Sequence, residues 1–253
     1  MLLNDLIVEQ AGKILTIQLN RPAKKNALTQ AMYLGMIHAL ESADADDSIH
    51  CVYLRGTAEC FCAGNDLKDF LETGAQAAAE FVKCISRVKK PIVAAVNGPA
   101  VGVGTTMLLH CDLVVAAEDA YFMMPFTDLG LCPEAGASYL LPRMLGYSRA
   151  SELLLLGARI DAAKACELGL INRVCAAEQY ISAGWELAEV LAAKPLAAIL
   201  ATKALIRKHQ APLVEQAIDN ENEQFASLLA SDESRQIMAA FFLEGENSGD
   251  LYR

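Results

Sequence analysis

The stretch 129-LGLCPEAGASYLL-141 places one carboxylate, Glu134, directly after a proline and inside a run of small or apolar residues. An acid with no charged neighbour in sequence, set among apolar groups, needs a reason to be there beyond solvation. A structural reason fits. The segment 135-AGASYLLPRML-145 has the makings of a helix, and acids favour the amino end of one. Asp128, the next acid upstream, reads as a turn residue.

Two glycine-rich turns are the other places where a ligand could be held. In 91-PIVAAVNGPAVGVGTTMLLHC-111 an apolar strand meets an Asn-Gly-Pro turn, and Gly102 and Gly104 lead into an apolar helix over 105–110. Glycines at a strand-to-helix turn let a ligand approach the main chain, and the first amides of the helix point at negative charge. That outlines a site for an oxyanion or a phosphate. A dinucleotide fingerprint is the rival reading of Gly102-Val103-Gly104, but Met107 stands where the third glycine belongs and the unit is not the first of the chain. A second turn of this kind, Ala63-Gly64-Asn65-Asp66, follows the strand 51-CVYLRG-56 and precedes a helix from Leu67, with Asp66 at its favoured amino end. Either turn alone is compatible with ordinary loop chemistry; two after successive strands point to a site.

The elements that must position these residues follow from periodicity. Alternation marks strands over 14–19 and 51–56, helical spacing marks 27–43 between them, and further strands are expected over 92–96, 112–117 and 121–126. Helices intervene, the cadence of a chain that repeatedly crosses back over a sheet. From about Ser148 helical patterns dominate: 148–157 with Gly157 as its stop, 161–169 capped by Asp161, 178–193, 195–208 with Pro195 in the first turn, 212–231 and 232–245. The α/β reading is thus a core over 1–195 and a helical region over 196–253 belonging to the same domain, with no linker between them.

Composition bounds the partners. The 253-residue chain is 54% hydrophobic with a mean hydropathy of +0.27, which excludes general disorder. A net charge of −10 argues against nucleic acid or an anionic membrane as a generic partner, so an anionic ligand needs a local basic pocket. The window 99-PAVGVGTTMLLHCDLVVAA-117 is interrupted by His110 and Asp112, so no spanning helix is expected, and 1-MLLNDLIVEQ-10 reads as no export signal. Eight scattered cysteines show no zinc spacing; with Cys60 and Cys62 read as buried thiols, no metal is expected and a reducing compartment is. The terminal Leu251-Tyr252-Arg253 is no Ser-Lys-Leu address, and the expected location is cytoplasmic.

The pieces 20-NRPAKKNAL-28, 61-FCAGNDL-67, 91-PIVAAVNGPAVGVG-104, 111-CDLVVAA-117, 129-LGLCPEAGASYLLPRMLG-146 and 161-DAAKACELGLINRV-174 resemble, in the same order, those of the crotonase superfamily, the enoyl-CoA hydratase/isomerase group. The resemblance implies a spiral of ββα units with C-terminal helices that form trimers, commonly paired into hexamers. It implies an acyl-CoA thioester as substrate, with no separate cofactor. The thioester oxygen would be held by the backbone N–H groups of Asn65 and Val103. CoA would lie against Lys24 or Lys25 and Ala63, Gly64, Asn65, Asp66 and Leu67, although the lysines also fit a solvated surface. Gly102, Phe126 and Leu131 complete the implied binding set, with Leu129 beside them. Enclosure by Phe126, Leu129 and Leu131 would raise the pKa of Glu134.

The hydratases of that group use two glutamates, and their positions here are Thr106 and Phe126. Neither exchanges a proton at neutral pH. Glu134 instead stands where the Δ3,Δ2-enoyl-CoA isomerase branch carries its acid, which implies a single-carboxylate isomerase. The alternatives are a hydratase, dienoyl-CoA isomerase or hydrolase using Glu134 otherwise, or a silent acyl-CoA-binding subunit.

Overall fold

In the computed structural model, residues 4–57 and 59–248 are described, with side chains described to residue 240. β1 (Leu6–Ala11) and β2 (Ile14–Leu19) form an antiparallel hairpin, and α1 (Gln30–Ala45) crosses from it to β3 (Cys51–Arg55). α2 (Leu67–Thr73) and α3 (Gln76–Arg87) lead to β4 (Ile92–Val96), then β5 (Pro99–Val101) and α4 (Val103–Thr106) to β6 (Leu113–Ala117). β7 (Tyr121–Met123), α5 (Ala137–Leu145), α6 (Tyr147–Leu155), β8 (Ile160–Asp161) and α7 (Ala162–Glu167) precede β9 (Arg173–Cys175). Four helices follow: α8 (Tyr180–Ala192), α9 (Leu196–Arg207), α10 (Ala211–Leu229) and α11 (Asp232–Ser248).

The main sheet runs β1-β2-β3-β4-β6-β9 and is parallel beyond its first pair; β5, β7 and β8 form a second, shorter sheet. Parallel bridges Leu28↔Asn65 and Cys62↔Ala100 continue the short ladder. Successive passes therefore place one strand in the long sheet and one short segment in the other before a helix returns the chain. This is the expected spiral of ββα units. Strand alternation then decides the packing. Val52, Leu54, Ile92, Ala94 and Val96 face the larger core, while Cys51, Tyr53, Val93 and Ala95 meet a smaller one closed by Tyr180, Ala188 and Ala192 of α8.

The late helices form close to their expected bounds; Asp161 caps α7 by accepting the Lys164 amide at 2.7 Å. Three details differ from expectation. The strand expected over 121–126 ends at Met123, just ahead of Pro125, which has no amide to donate, and it lies in the shorter sheet. The helix expected over 105–110 starts at Val103 and tightens into a 3-10 turn over Met107–His110. β9 joins the main sheet beyond Ser148, where strands were expected to have nearly stopped; three residues are too few to show a period.

Candidate active site

Two short connections bring the glycine turns together. The Cys62 amide donates to the Pro99 carbonyl at 3.0 Å and the Val101 amide to the Cys62 carbonyl at 2.9 Å, so the turn at 63–66 rides on the strand that enters the turn at 102–104. Gly104 permits the approach. A Cβ there would stand 2.6 Å from the Cys62 carbonyl oxygen. Gly102 supplies the corner, at φ 55 and ψ −121, which side-chain-bearing residues rarely adopt.

The amides of these turns are mostly spent within the protein. Ala63 N–H goes to the Lys25 carbonyl, Asp66 N–H to that of Leu28, and Gly102 N–H to that of Met123. Asn65 N–H and Val103 N–H have no protein acceptor among the described residues, and Val103 is the first residue of its helix. Both residues line a cavity of about 700 Å³ together with Glu134 and Tyr33. Its remaining wall is largely apolar, with Phe70, Val82, Phe225 and Leu229.

Glu134 is 8% exposed. Its one donor among the described residues is the Thr106 hydroxyl, one turn of α4 beyond Val103. Burial pushes the Glu134 carboxyl up to about 8; the Thr106 hydrogen bond opposes that rise and the buried charge of Glu221 adds to it. The acid is therefore poised to hold or release a proton near neutrality. Thr106 Oγ1 also lies 3.4 Å from the Gly102 carbonyl. Its hydrogen can turn there when Glu134 is protonated and itself donates, so one hydroxyl serves both states.

Glu134 does not start a helix. α5 begins three residues later, and the acid at its amino end is Glu221 of α10, which accepts the Gly136 amide at 2.6 Å and the Ser138 amide at 2.8 Å. Asp128 is exposed in the 3-10 turn Thr127–Leu129, as a turn residue should be. Phe126 and Leu131 lie elsewhere than expected with respect to Glu134. With Gly64, Asn65, Leu67, Gly102, Val103 and Leu129 they line an adjoining crevice of about 30 Å³, which shares Asn65, Phe70, Val103 and Phe225 with the larger cavity. Tyr33, Phe70 and Phe225, not they, close over the acid's cavity.

The Asn65 side chain is already engaged, accepting the Tyr33 hydroxyl at 2.5 Å. Asp66 caps α2 through the Asp69 amide at 3.1 Å and pairs with Arg21 at 2.7 Å. Burial pulls the Asp66 carboxyl up, but the Asp69 amide, Arg21 and Lys24 more than offset it and hold it below the usual range. Lys24 is exposed in the 3-10 turn Pro22–Lys24. Asn26, fully buried, ties that turn to the next unit through the Cys60 carbonyl at 2.7 Å and Thr57 Oγ1 at 3.0 Å. All eight cysteines are free, and no cluster of potential metal ligands occurs among the described residues.

Three residues at or beside the cavity have no place in the sequence reading of the site: Tyr33, Glu221 and Asn222. Glu221 did carry a signal, since Val214, Ile218, Glu221 and Phe225 form one buried row at helical spacing and an acid in such a row must have a partner. Tyr33 carried none, lying within the ordinary buried row of α1. Asn222 also lines that cavity and carries a buried amide nitrogen without an acceptor among the described residues.

A model of the enoyl-CoA hydratase/isomerase family matches residues 9–247. The chain belongs to that family. Enoyl-CoA delta isomerase 3, peroxisomal, of Mus musculus is 36% identical over 216 residues, 81% of this chain and 68% of that protein. The 2,3-dehydroadipyl-CoA hydratase of Escherichia coli (strain K12) is 33% identical over 244 residues, 94% of this chain and 96% of the other. A crystal structure of an enoyl-CoA hydratase/isomerase from Pseudoalteromonas atlantica T6c has a TM-score of 0.91 at 41% identity, covering 95% of this chain and 97% of that one. The fold is the crotonase fold. Membership supports acyl-CoA chemistry of the hydratase/isomerase kind, with CoA as part of the substrate. No helix among the described residues is long and apolar enough to cross a membrane.

Proposed function

We propose that this protein is an enoyl-CoA delta-isomerase that moves the double bond of a 3-enoyl-CoA to the 2-trans position. The observation that carries the reading is the composition of one cavity wall: a single buried carboxylate, Glu134, faces the same space as the two unpaired amides of Asn65 and Val103. The ionised Glu134 takes a proton from C2. The electron pair moves into a dienolate whose oxygen accepts from both amides, and Glu134 then returns the proton to C4. Each preorganised amide is worth about 3 kcal/mol of barrier. The apolar wall of Phe70, Val82 and Phe225 keeps water away, which suits transposition better than hydration. Lys24, with the turn from Ala63 to Leu67, would meet the CoA end, a role supported by the exposure of Lys24. Gly102, Phe126 and Leu131 shape the smaller crevice that adjoins the amides. Thr106 has the geometry of a hydrogen-bond partner, not of a second acid.

Hydration is the second reading, and it draws support from the 33% identity to a hydratase. Purified protein given 3-hexenoyl-CoA and crotonyl-CoA in parallel separates the two. Conjugation of the first without hydration of the second supports the isomerase; hydration of crotonyl-CoA sinks it. Binding without turnover of either points to the silent acyl-CoA-binding subunit. Assembly into a homotrimer or hexamer is part of the proposal. The exposed Tyr147, Leu155, Leu156, Leu205 and Ile206 support a covered face on the helical side.

A further inference from the structure

Two carboxylates lie buried at the acid wall, and the proposed chemistry uses one. Glu221 is 6% exposed and does not line the cavity. Its oxygens gather three donors from the turn that carries Glu134: Oε2 accepts the Gly136 amide at 2.6 Å, and Oε1 accepts the Ser138 amide at 2.8 Å and the Ser138 hydroxyl at 2.5 Å. The other side of the turn is held by His110, whose Nε2 lies 2.7 Å from the Ala135 carbonyl. A carbonyl only accepts, so Nε2 carries the hydrogen; burial holds this imidazole down at about 4, hence neutral. Between the two clamps, Ala135 at φ 59 and Gly136 at φ 73 are both left-handed. An alanine stays in that region only where its surroundings hold it there.

We infer that Glu221 is a positioning residue for Glu134, holding the acid-bearing turn in its left-handed shape and keeping a fixed negative charge behind the acid. The inference rests on Glu134 being the proton shuttle.

Which member of the pair keeps the charge follows from their donors. Among the described residues Glu221 has three and stands at the amino end of the nine-residue α5, whereas Glu134 has the Thr106 hydroxyl alone. Donors and a helix amino end favour the ionised form. Burial pushes both carboxyls up, and the proton goes to Glu134. The groups that act on the pair at close range carry no positive charge: Tyr33 from α1, Thr106 from α4, neutral His110 after it, and Cys132 from the loop, whose thiol burial and Glu221 push up; Arg235 of α11 lines the same cavity as Glu134 but is not among the charges that shift either carboxyl. No Lys or Arg among the described residues pairs with either carboxylate. Two like charges cannot both be favourable in so dry a place, and this arrangement decides which one yields.

The test is the pH dependence of kcat/KM for 3-hexenoyl-CoA isomerisation in the wild type, Glu221→Gln, Ser138→Ala and Glu134→Gln. Removing the charge in Glu221→Gln should move the acidic limb down by about one pH unit and lower the high-pH plateau roughly tenfold, because the acid becomes a weaker base. Ser138→Ala keeps the charge while loosening the turn. It should lower kcat about threefold to tenfold at unchanged KM and leave the limb at or above its wild-type position. A folded Glu221→Gln protein with the wild-type limb and plateau overturns the inference. If Glu221→Gln does not fold, Ser138→Ala decides alone, and wild-type kcat there overturns it. Failure of the underlying reading is distinct: full activity in Glu134→Gln removes that acid as the base whatever Glu221 does.

Discussion

The oxyanion wall of the cavity and its acid wall differ in what holds them. Asn65 and Val103 are positioned by main-chain bonds between neighbouring turns of the spiral, Cys62 to Pro99 and Val101 to Cys62, with glycine allowing the approach. Glu134 is positioned by side chains reaching in from elsewhere: His110 from 25 residues upstream and Glu221 from 85 residues downstream of the amides and carbonyl they hold. The first wall repeats the logic of the fold, and tolerates side-chain change because its working parts are amides. The second is a local construction in which left-handed Ala135 and two buried acids are maintained by tertiary contacts. A family that keeps one wall and rebuilds the other can keep its substrate's thioester while changing its reaction, consistent with isomerase and hydratase relatives at similar identity.

The largest expected effect bears on the acid wall. Glu134→Gln should lower kcat for 3-hexenoyl-CoA at least 10³-fold, since a proton carrier is removed outright, while acyl-CoA affinity measured by titration stays within a few-fold. Substantial residual kcat would break the division of labour between the walls. Next comes the oxyanion wall: Gly104→Ala drives a methyl into the Cys62 backbone, which cannot yield as a flexible side chain would. It should cost about 3 kcal/mol of stability by chemical denaturation and also reduce turnover.

A third experiment uses stability to sharpen the comparison. The Glu134 carboxyl titrates at about 8 in the folded chain against 4.5 ordinarily, so the unfolded chain releases its proton first as pH rises. Its contribution to stability is intact in acid and lost progressively toward pH 8. Glu134→Gln, which cannot ionise, should therefore be more stable than the wild type by a few kcal/mol near pH 8, with the difference vanishing near pH 4. Equal denaturation midpoints at pH 8 would mean that the acid is well solvated. The smallest effect is expected from Tyr33→Phe. It frees the Asn65 side chain but leaves the Asn65 amide in place, so kcat should fall less than tenfold. A loss of several hundredfold would mean that the tyrosine takes part in chemistry itself.

Much of this was readable from residue order. The glycine turns, the cap at Asp66 and the isolated acid at Glu134 carry local signals, and each came out as backbone geometry, a capped helix or a buried carboxyl. The enclosure of Glu134 was anticipated, but by Phe126 and Leu131. Sequence proximity suggested those neighbours, whereas the turn at Ala135 and Gly136 swings the acid toward α1 and α10 instead. Four strands escaped notice: β5, β8 and β9 are only two or three residues long, and β1, at the sheet edge, has no buried-exposed alternation to reveal it.

Residue types and their spacing determined which groups are able to do chemistry and how the chain alternates between strand and helix, because propensity, capping and glycine conformations act over a few bonds. Which groups meet was decided only in three dimensions. Tyr33 beside Asn65, Thr106 beside Glu134 and Glu221 behind it are contacts made by packing distant helices onto one spiral, and the pKa of the acid is a property of that burial, not of the glutamate.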